Sequence, residues 1–340
     1  MSRHGRRALP AAAVAALGLA VSLVGCGGSG GPSIVLYNGQ HLQLTMALVN
    51  AFEKQTGIAV RMRSNDSIVL ADQILQEGHG SPADVYLAEN TPELMTLQGR
   101  GLLAKLSAST LAQVPGGDSS PAGKWVGMAL RVSSLAYDPA LVAAARLPAS
   151  ILDLAQPQWK GKVAIAPTDS DFPPIVGAVI AAYGTKTATT WLTGLKRNAQ
   201  TYQDEEAIVA AVNRGDVASG LINQYYWYRL RLEVGASAVH SRLHYFPHHD
   251  VGSIANVSGV SVLATSGHRQ AAERFVRFLV SEAGQQIIAN SDDFEYPARP
   301  GVAPNAALPP LDTIAHATLN VVSLGENQQA PRLMRQVGLF

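Results

Sequence analysis

From Ser33 onward, short apolar runs alternate with segments whose apolar residues recur at helical spacing, and this alternation constrains the fold more than any other feature. Residues 33–37 read as a buried strand. Leu44, Ala47, Leu48, Ala51 and Phe52 then fall at i, i+3, i+4, i+7 and i+8, one face of a helix that Gly57 ends. Residues 58–62 alternate as a second strand, Asp66 opens another helix that stops at Gly78, and 84–88 form a third strand. A second block repeats the scheme, with strands at 163–166, 219–222 and 243–246 and helices over 174–182, 188–195 and 205–214. Beyond Asn256 an apolar run to Ala264 leads into a helix whose stripe is Ala272, Phe275, Val276 and Leu279. Strands alternating with helices build parallel sheets covered by helices. Two such blocks predict an α/β protein of two lobes, with a ligand cleft beyond the carboxyl ends of the strands.

The chain of 340 residues sets 26 Lys and Arg against 25 Asp and Glu, so it has no strong attraction for nucleic acid or an acidic membrane surface. Arg3, Arg6 and Arg7 precede an uncharged run from Ala8 to Val24, the basic start and apolar middle of a secretory signal over residues 1–25. Its end, Leu23-Val24-Gly25-Cys26, resembles a bacterial lipobox, in which the cysteine is lipidated and becomes the first mature residue. Cys26 is the single cysteine, which excludes an intrachain disulfide and a cysteine-based zinc cluster. Residues 26–32 follow as a Gly/Ser/Pro tether. Glycines 25, 27 and 30 fit G-x-G-x-x-G, but a signal precedes them and a strand follows, the wrong context for dinucleotide binding. Beyond the anchor no apolar run reaches the roughly 18 residues that span a bilayer. The working part is therefore expected outside the cytoplasm, held by lipid alone at the outer face of the cytoplasmic membrane, in the periplasmic or cell-envelope space.

From Ser33 onward the globular part holds no G-x-S-x-G elbow, H-E-x-x-H motif or P-loop, so no catalytic residue is proposed and the chain is read as a non-enzyme. Its oddest segment is Asn223-Gln224-Tyr225-Tyr226-Trp227-Tyr228, directly after the strand 219–222. Aromatic core packing is one account of such a run. The other starts from geometry: if Tyr225 opens a helix, Tyr225 and Tyr226 diverge by about 100° and both lean into the cleft, while Trp227 and Tyr228 face the lobe. A free phenol titrates near ~10 and becomes a phenolate at neutral pH only when a metal stabilises it. Fe³⁺ is hard and charged enough to do so, whereas softer ions prefer sulfur. Release of such an ion is acid-sensitive, because protons compete for the same oxygens.

Tyr37-Asn38-Gly39-Gln40-His41, Ala51-Phe52-Glu53 through Thr56-Gly57-Ile58, Ser81-Pro82-Ala83-Asp84-Val85, Trp159-Lys160-Gly161-Lys162 and the tyrosine segment resemble, in the same order, the periplasmic ferric-ion-binding proteins of ABC iron importers. The resemblance runs through essentially the whole chain after the tether. It implies a two-lobed class II periplasmic-binding fold with a hinge of crossing strands. The lobes are expected at 33–131 plus 256–306 and at 132–255 plus 307–340. It further implies a monomeric receptor that delivers Fe³⁺ to an ABC permease. By position it carries over four metal ligands, His41, Glu89, Tyr225 and Tyr226, and leaves two positions of an octahedral ion for a small anion. Read without the resemblance, His41 is equally a helix-start histidine facing water, and Glu89 an acid favoured at the start of the next helix.

Two departures from that family concern the anion. After the W-K-G-K strand, where the family commonly presents small uncharged residues, this chain has Thr168-Asp169-Ser170-Asp171, and Glu205 stands at a family asparagine position. Carboxylates repel phosphate, so carbonate or citrate is the expected co-ligand, held by the planar fork of Arg131, with Thr168 and Asn223 nearby. In the alternative, Asp169 or Glu205 completes the metal shell itself. Asp171, before Phe172-Pro173-Pro174, reads as a helix cap. His240, His244, His248 and His249 are read as surface or loop histidines, since Pro247 breaks their helical alignment. The rival readings are a receptor of the same fold for thiamine, a polyamine or an oxyanion, and a secreted metal-dependent hydrolase.

Overall fold

The computed structural model describes residues 31–314, 316–317, 324 and 328–340. The signal segment 1–25, the lipidation site Cys26 and the tether up to residue 30 lie outside the described residues. β1 (Ser33–Asn38) and α1 (Leu42–Thr56) form where the apolar spacing puts them, and Leu44, Leu48 and Phe52 of α1 are buried. Gly57 ends α1 in the left-handed region at φ 69°, which a residue without Cβ adopts freely. β2 (Ala59–Ser64) pairs parallel with β1, and α2 (Ser67–Glu77) starts at Asp66, whose side chain accepts from the Ile68 N–H at 2.8 Å. β3 (Val85–Ala88), α3 (Thr91–Gly99) and the single turn α4 (Ala108–Leu111) complete the first block.

The sequence pattern did not reveal the strand that organises the sheet. β4 (Val126–Tyr137) is twelve residues long and buried throughout. After it come β5 (Val163–Ile165), α5 (Phe172–Asn198), β6 (Ala199–Thr201), α6 (Glu205–Arg214), β7 (Ser219–Asn223), α7 (Gln224–Val234) and β8 (Arg242–His244). The chain then returns through β9 (Ala255–Val262), α8 (Arg269–Leu279), α9 (Glu282–Ala289), β10 (Tyr296–Pro297) and α10 (Gln329–Val337). The strand order is β2-β1-β3-β9-β4-β7-β5-β6, with β8 and β10 also paired to β4. Partners along β4 change in mid-strand: Val126 to Val132 pair antiparallel with β9, while Ser133 to Tyr137 pair with β7. One strand thus serves two halves of the sheet, and the residues at its middle lie between them.

The two helices expected at 174–182 and 188–195 are parts of α5, which breaks at Gly184 (φ 81°, ψ 162°). The α8 stripe is as expected, with Ala272, Phe275, Val276 and Leu279 buried and the Phe275 ring 5.0 Å from that of Phe52. Among the described residues, no helix is long and apolar enough to cross a membrane.

Candidate metal centre

The turn after β1 aims an imidazole at the end of β3. Asn38 closes that turn by accepting from the Gln40 N–H at 3.1 Å, and Gln40 Oε1 accepts from the His41 N–H at 2.7 Å. His41 is the first flanking residue of α1 but makes no side-chain cap. Its Nε2 lies 3.5 Å from Glu89 Oε1 instead, and its Nδ1 lies 3.2 Å from Asp293 Oδ1, an ionic contact out of line for a hydrogen bond. Glu89 follows β3 directly. Ser67 Oγ accepts from the Glu89 N–H at 2.8 Å and donates to the Gly39 carbonyl at 3.1 Å, locking the turns after β1 and β3 together.

The two tyrosines come from the other side of β4. Gln224, fully buried at the start of α7, accepts from the Val132 N–H at 2.6 Å and donates to the Phe294 carbonyl at 3.0 Å. This fixes the entry to α7, so the next two residues project from its first turn. Tyr225 OH donates to Asp171 Oδ2 at 3.0 Å and has Glu89 Oε1 at 3.4 Å; Tyr226 OH reaches the same Asp171 oxygen at 3.4 Å. Their rings lie 4.1 Å apart, and the His41 ring meets Tyr225 edge-on at 5.0 Å. As the helical spacing predicts, Trp227 and Tyr228 turn elsewhere: Trp227 Nε1 donates to Ser241 and Tyr228 stacks on Phe294.

Arg131, in the middle of β4, is fully buried behind this group. Its Nη1 donates to the Glu89 carbonyl at 2.6 Å and to Ser258 Oγ at 2.9 Å, and its Nη2 to Asn90 Oδ1 at 2.5 Å and to Asp171 Oδ1 at 3.0 Å. Burial disfavours its charge, but Asp171 and Glu89 outweigh that and hold it protonated. Burial alone would raise the Glu89 carboxyl; Arg131 and His41 overcome it and pull it below the usual range. Burial likewise works against a charged His41, yet the neighbouring Asp293 and Glu89 carboxylates push the imidazole up to about 10. Both phenols are raised as well. Burial, then the facing Asp171 carboxylate, raises Tyr225 and Tyr226 well above their ordinary value.

His41, Glu89, Tyr225, Asp171 and Tyr226 therefore form a chain of donors, each 3.0–3.5 Å from the next. A small octahedral cation with donors at roughly 2.0–2.1 Å places neighbouring donors about 2.9 Å apart, close to the spacing between successive members of this chain. Oxygen predominates, the acids Glu89, Asp171, Asp169, Glu205 and Glu295 crowd the surroundings, and Arg131 and His41 are the cations facing them. Such a set suits a hard, highly charged ion.

Several expectations change here. The Arg131 fork is not free for carbonate or citrate, because Asp171 and the backbone and side-chain acceptors around it take its Nη donors. Asp171 does not cap α5: no N–H of that helix bonds its side chain, which turns inward to the guanidinium and the phenols. Asp169 is a structural brace, accepting from the N–H groups of Asp171 and Glu205 at 3.1 Å each. Glu205 accepts from the Asn223 N–H at 2.5 Å and from Asn223 Nδ2 at 3.4 Å, so this pair anchors the turn between β7 and α7. Thr168 is exposed and takes no part in these contacts. His244, the last residue of β8, bonds the Pro148 carbonyl through Nε2, and His249 bonds the His316 carbonyl through Nδ1.

Glu295, Asp293 and Asn90 were missed. Glu295 is fully buried, accepts from Gln40 Nε2 at 3.2 Å and stands 4.0 Å from His41, with burial pushing it up to about 7. His41, Glu89 and Glu295 alone offer three ligand atoms within 4.8 Å of one another. Local spacing holds no trace of this pairing, which crosses more than 200 residues of chain.

A mixed α/β sheet shared by two halves through one strand, with polar donors gathered between them, is the architecture of periplasmic solute-binding proteins. The chain belongs to the bacterial extracellular solute-binding protein family, whose sequence model matches residues 35–291. It is 38% identical over 307 residues to the Fe(3+)-binding periplasmic protein of Serratia marcescens, covering 90% of each chain. Its fold is similar to iron-bound HitA from Pseudomonas aeruginosa, with a TM-score of 0.86, 41% identity and coverage of 91% of this chain and all of that one. A Trichodesmium protein (IdiA, FutA) in complex with iron and citrate matches with a TM-score of 0.79 and 30% identity over 90% of this chain and 99% of its own.

Proposed function

We propose that this chain is an exported ferric-ion receptor that holds Fe³⁺ through His41, Glu89, Tyr225 and Tyr226 and delivers it to an ABC permease. The close grouping of an imidazole, a carboxylate and two phenols, linked through contacts of His41 to Glu89, Glu89 to Tyr225 and both phenols to Asp171, carries this reading. The names of its relatives support it. The two lobes are 33–131 plus 256–306 and 132–255 plus 307–340, meeting where β4 changes partners, and closure about that strand brings ligands of both lobes onto one ion. A lipid on Cys26 anchors the receptor to the outer face of the cytoplasmic membrane, which keeps the loaded form near its permease. Citrate accompanies iron in the Trichodesmium protein; here Nη1 and Nη2 of Arg131 are already engaged by groups of the chain.

The test is spectroscopic. Ferrous chloride oxidised in air beside the purified protein should give a tyrosinate-to-iron band in the visible at one ion per chain. A protein that stays colourless and metal-free overturns the reading. A second prediction concerns the lock between the β1 and β3 turns. A Cβ on Gly39 would lie 2.2 Å from Ser67 Oγ and 2.8 Å from Ser67 Cα, so Gly39→Ala displaces the hydroxyl that holds the Glu89 N–H. Loss of such a supporting contact costs about 10–100-fold in metal affinity, measurable by competition with nitrilotriacetate, and affinity within twofold of wild type would contradict the positioning role.

A further inference from the structure

The end of β1 opposite the metal centre carries a basic surface. Pro32, directly before β1, ties into the sheet edge by accepting from the Ala59 N–H at 3.0 Å, and beside it lies an open pocket of about 530 Å³ whose lining includes Pro32, Ile58, His268, Arg269 and Arg274. Both arginines belong to α8 and are exposed, and among the described residues neither makes an ion pair. Arg269 Nη2 donates to the carbonyl of the exposed Lys105 at 2.5 Å, and Lys54 stands exposed in the last turn of α1, which packs on α8 through Phe52 and Phe275. The neighbouring acids are engaged by the chain itself. Glu53 accepts from the Val60 N–H and Glu273 from the Ser107 N–H, each at 2.7 Å, while the buried Asp84 holds the Val35 N–H at 2.8 Å and His268 Nδ1 at 3.2 Å. A total charge of +1 thus conceals a local cationic surface.

We infer that this surface docks on the headgroups of an anionic phospholipid membrane, the same membrane to which lipid on Cys26 tethers the chain. The inference rests on the anchor proposed above. Chain length selects the occupant. Pro32 lies six residues after Cys26, so even full extension keeps it within about 20 Å of the lipid, and a flexible Gly/Ser segment of that length averages about 13 Å. The arginines bordering Pro32 are therefore held where the field of acidic headgroups, which decays over about 8 Å, reaches them. Each Lys or Arg at such a surface favours the docked form roughly fivefold. An acyl anchor alone limits distance and leaves orientation free; a basic face adds the second signal and fixes which side meets the membrane. Because His41 follows the other end of the six-residue β1, roughly 20 Å away, docking beside Pro32 leaves the metal centre clear of the headgroups.

The experiment places a nitroxide on the acylated chain at Gln270→Cys, an exposed position in the same pocket. Cys26 is the single native cysteine and is blocked by its lipid, so the label has one site. The chain is reconstituted on vesicles of phosphatidylcholine alone, or of phosphatidylcholine and phosphatidylglycerol in equal parts, each doped with a lipid that carries chelated gadolinium. Relaxation of the nitroxide should be several-fold faster on the acidic vesicles, and roughly 1 M salt, which cuts the screening length to about 3 Å, should abolish the difference. Arg269→Gln combined with Arg274→Gln should lower the ratio of docked to undocked receptor roughly 25-fold, while an unchanged ferric affinity shows the fold intact. Equal relaxation on both kinds of vesicle, or an acidic-lipid effect that survives the double substitution in full, overturns the docking and leaves the anchor standing. Mass spectrometry of the amino-terminal peptide checks the anchor separately, and a Cys26 without lipid overturns both.

Discussion

Tyr226→Phe should weaken ferric binding by roughly 10²–10³-fold while the protein keeps its fold. The size follows from sharing the binding energy among the ligands. A structural four-ligand site holds its ion with about 10–16 kcal/mol, or about 2.5–4 kcal/mol per ligand, and each 1.4 kcal/mol is tenfold. The fold should survive because Tyr226 is only partly buried and its hydroxyl makes a single long contact, 3.4 Å to Asp171. Its ring, stacked 4.1 Å from Tyr225, is retained in phenylalanine. Chelator competition measures the affinity, and the visible band should weaken and shift as one of two phenolates disappears. Affinity within tenfold of wild type would remove Tyr226 from the coordination sphere. Tyr225→Phe is the less clean companion, since that hydroxyl touches both Asp171 and Glu89 and its loss disturbs two carboxylates at once.

How much of this was readable in the chain depended on whether the signal was local. The stripe of α1, its glycine stop and the Asp66 cap of α2 are written within a few residues, and each lies where the pattern put it. The tyrosine pair was readable for the same reason: a strand end followed at once by a helix start fixes two neighbouring side chains. β4 was not, because a strand buried on both faces shows no alternation, and Arg131, Ser133 and Ser134 interrupt its apolar run. Of these, Arg131 supplies the buried charge behind the site, so a residue that hid the strand is the one that gives it a role. Asp171 shows tertiary structure overriding a local preference. Phe172-Pro173-Pro174 makes the position before it a natural cap, yet a buried guanidinium 40 residues upstream in sequence binds the carboxylate instead. Glu295 and Asp293 approach His41 from the far end of the chain, and only the folded sheet brings them there.

Acid should release the ion steeply, with apparent affinity falling about 10³-fold per pH unit through the neutral range. The sign follows from which groups carry protons in the metal-free site. Burial and the Asp171 carboxylate keep both phenols protonated to well above neutral pH, and Asp293 and Glu89 hold His41 protonated up to about 10. Glu89, drawn below the usual carboxylate range chiefly by Arg131, is already ionised. An entering ion therefore displaces three protons, and an equilibrium that releases three protons loses affinity as the third power of acidity. The slope holds across the neutral range because all three groups titrate above it, and it steepens lower down where Glu89 gains its own proton. Potentiometric titration with ferric nitrilotriacetate, corrected for protons taken up by the freed chelator, counts the release directly. His41→Asn should reduce the count from three to two while leaving the visible band in place. A wild-type count of one would mean that the phenols do not ionise on binding, and the two tyrosines would then be packing residues around some other ligand.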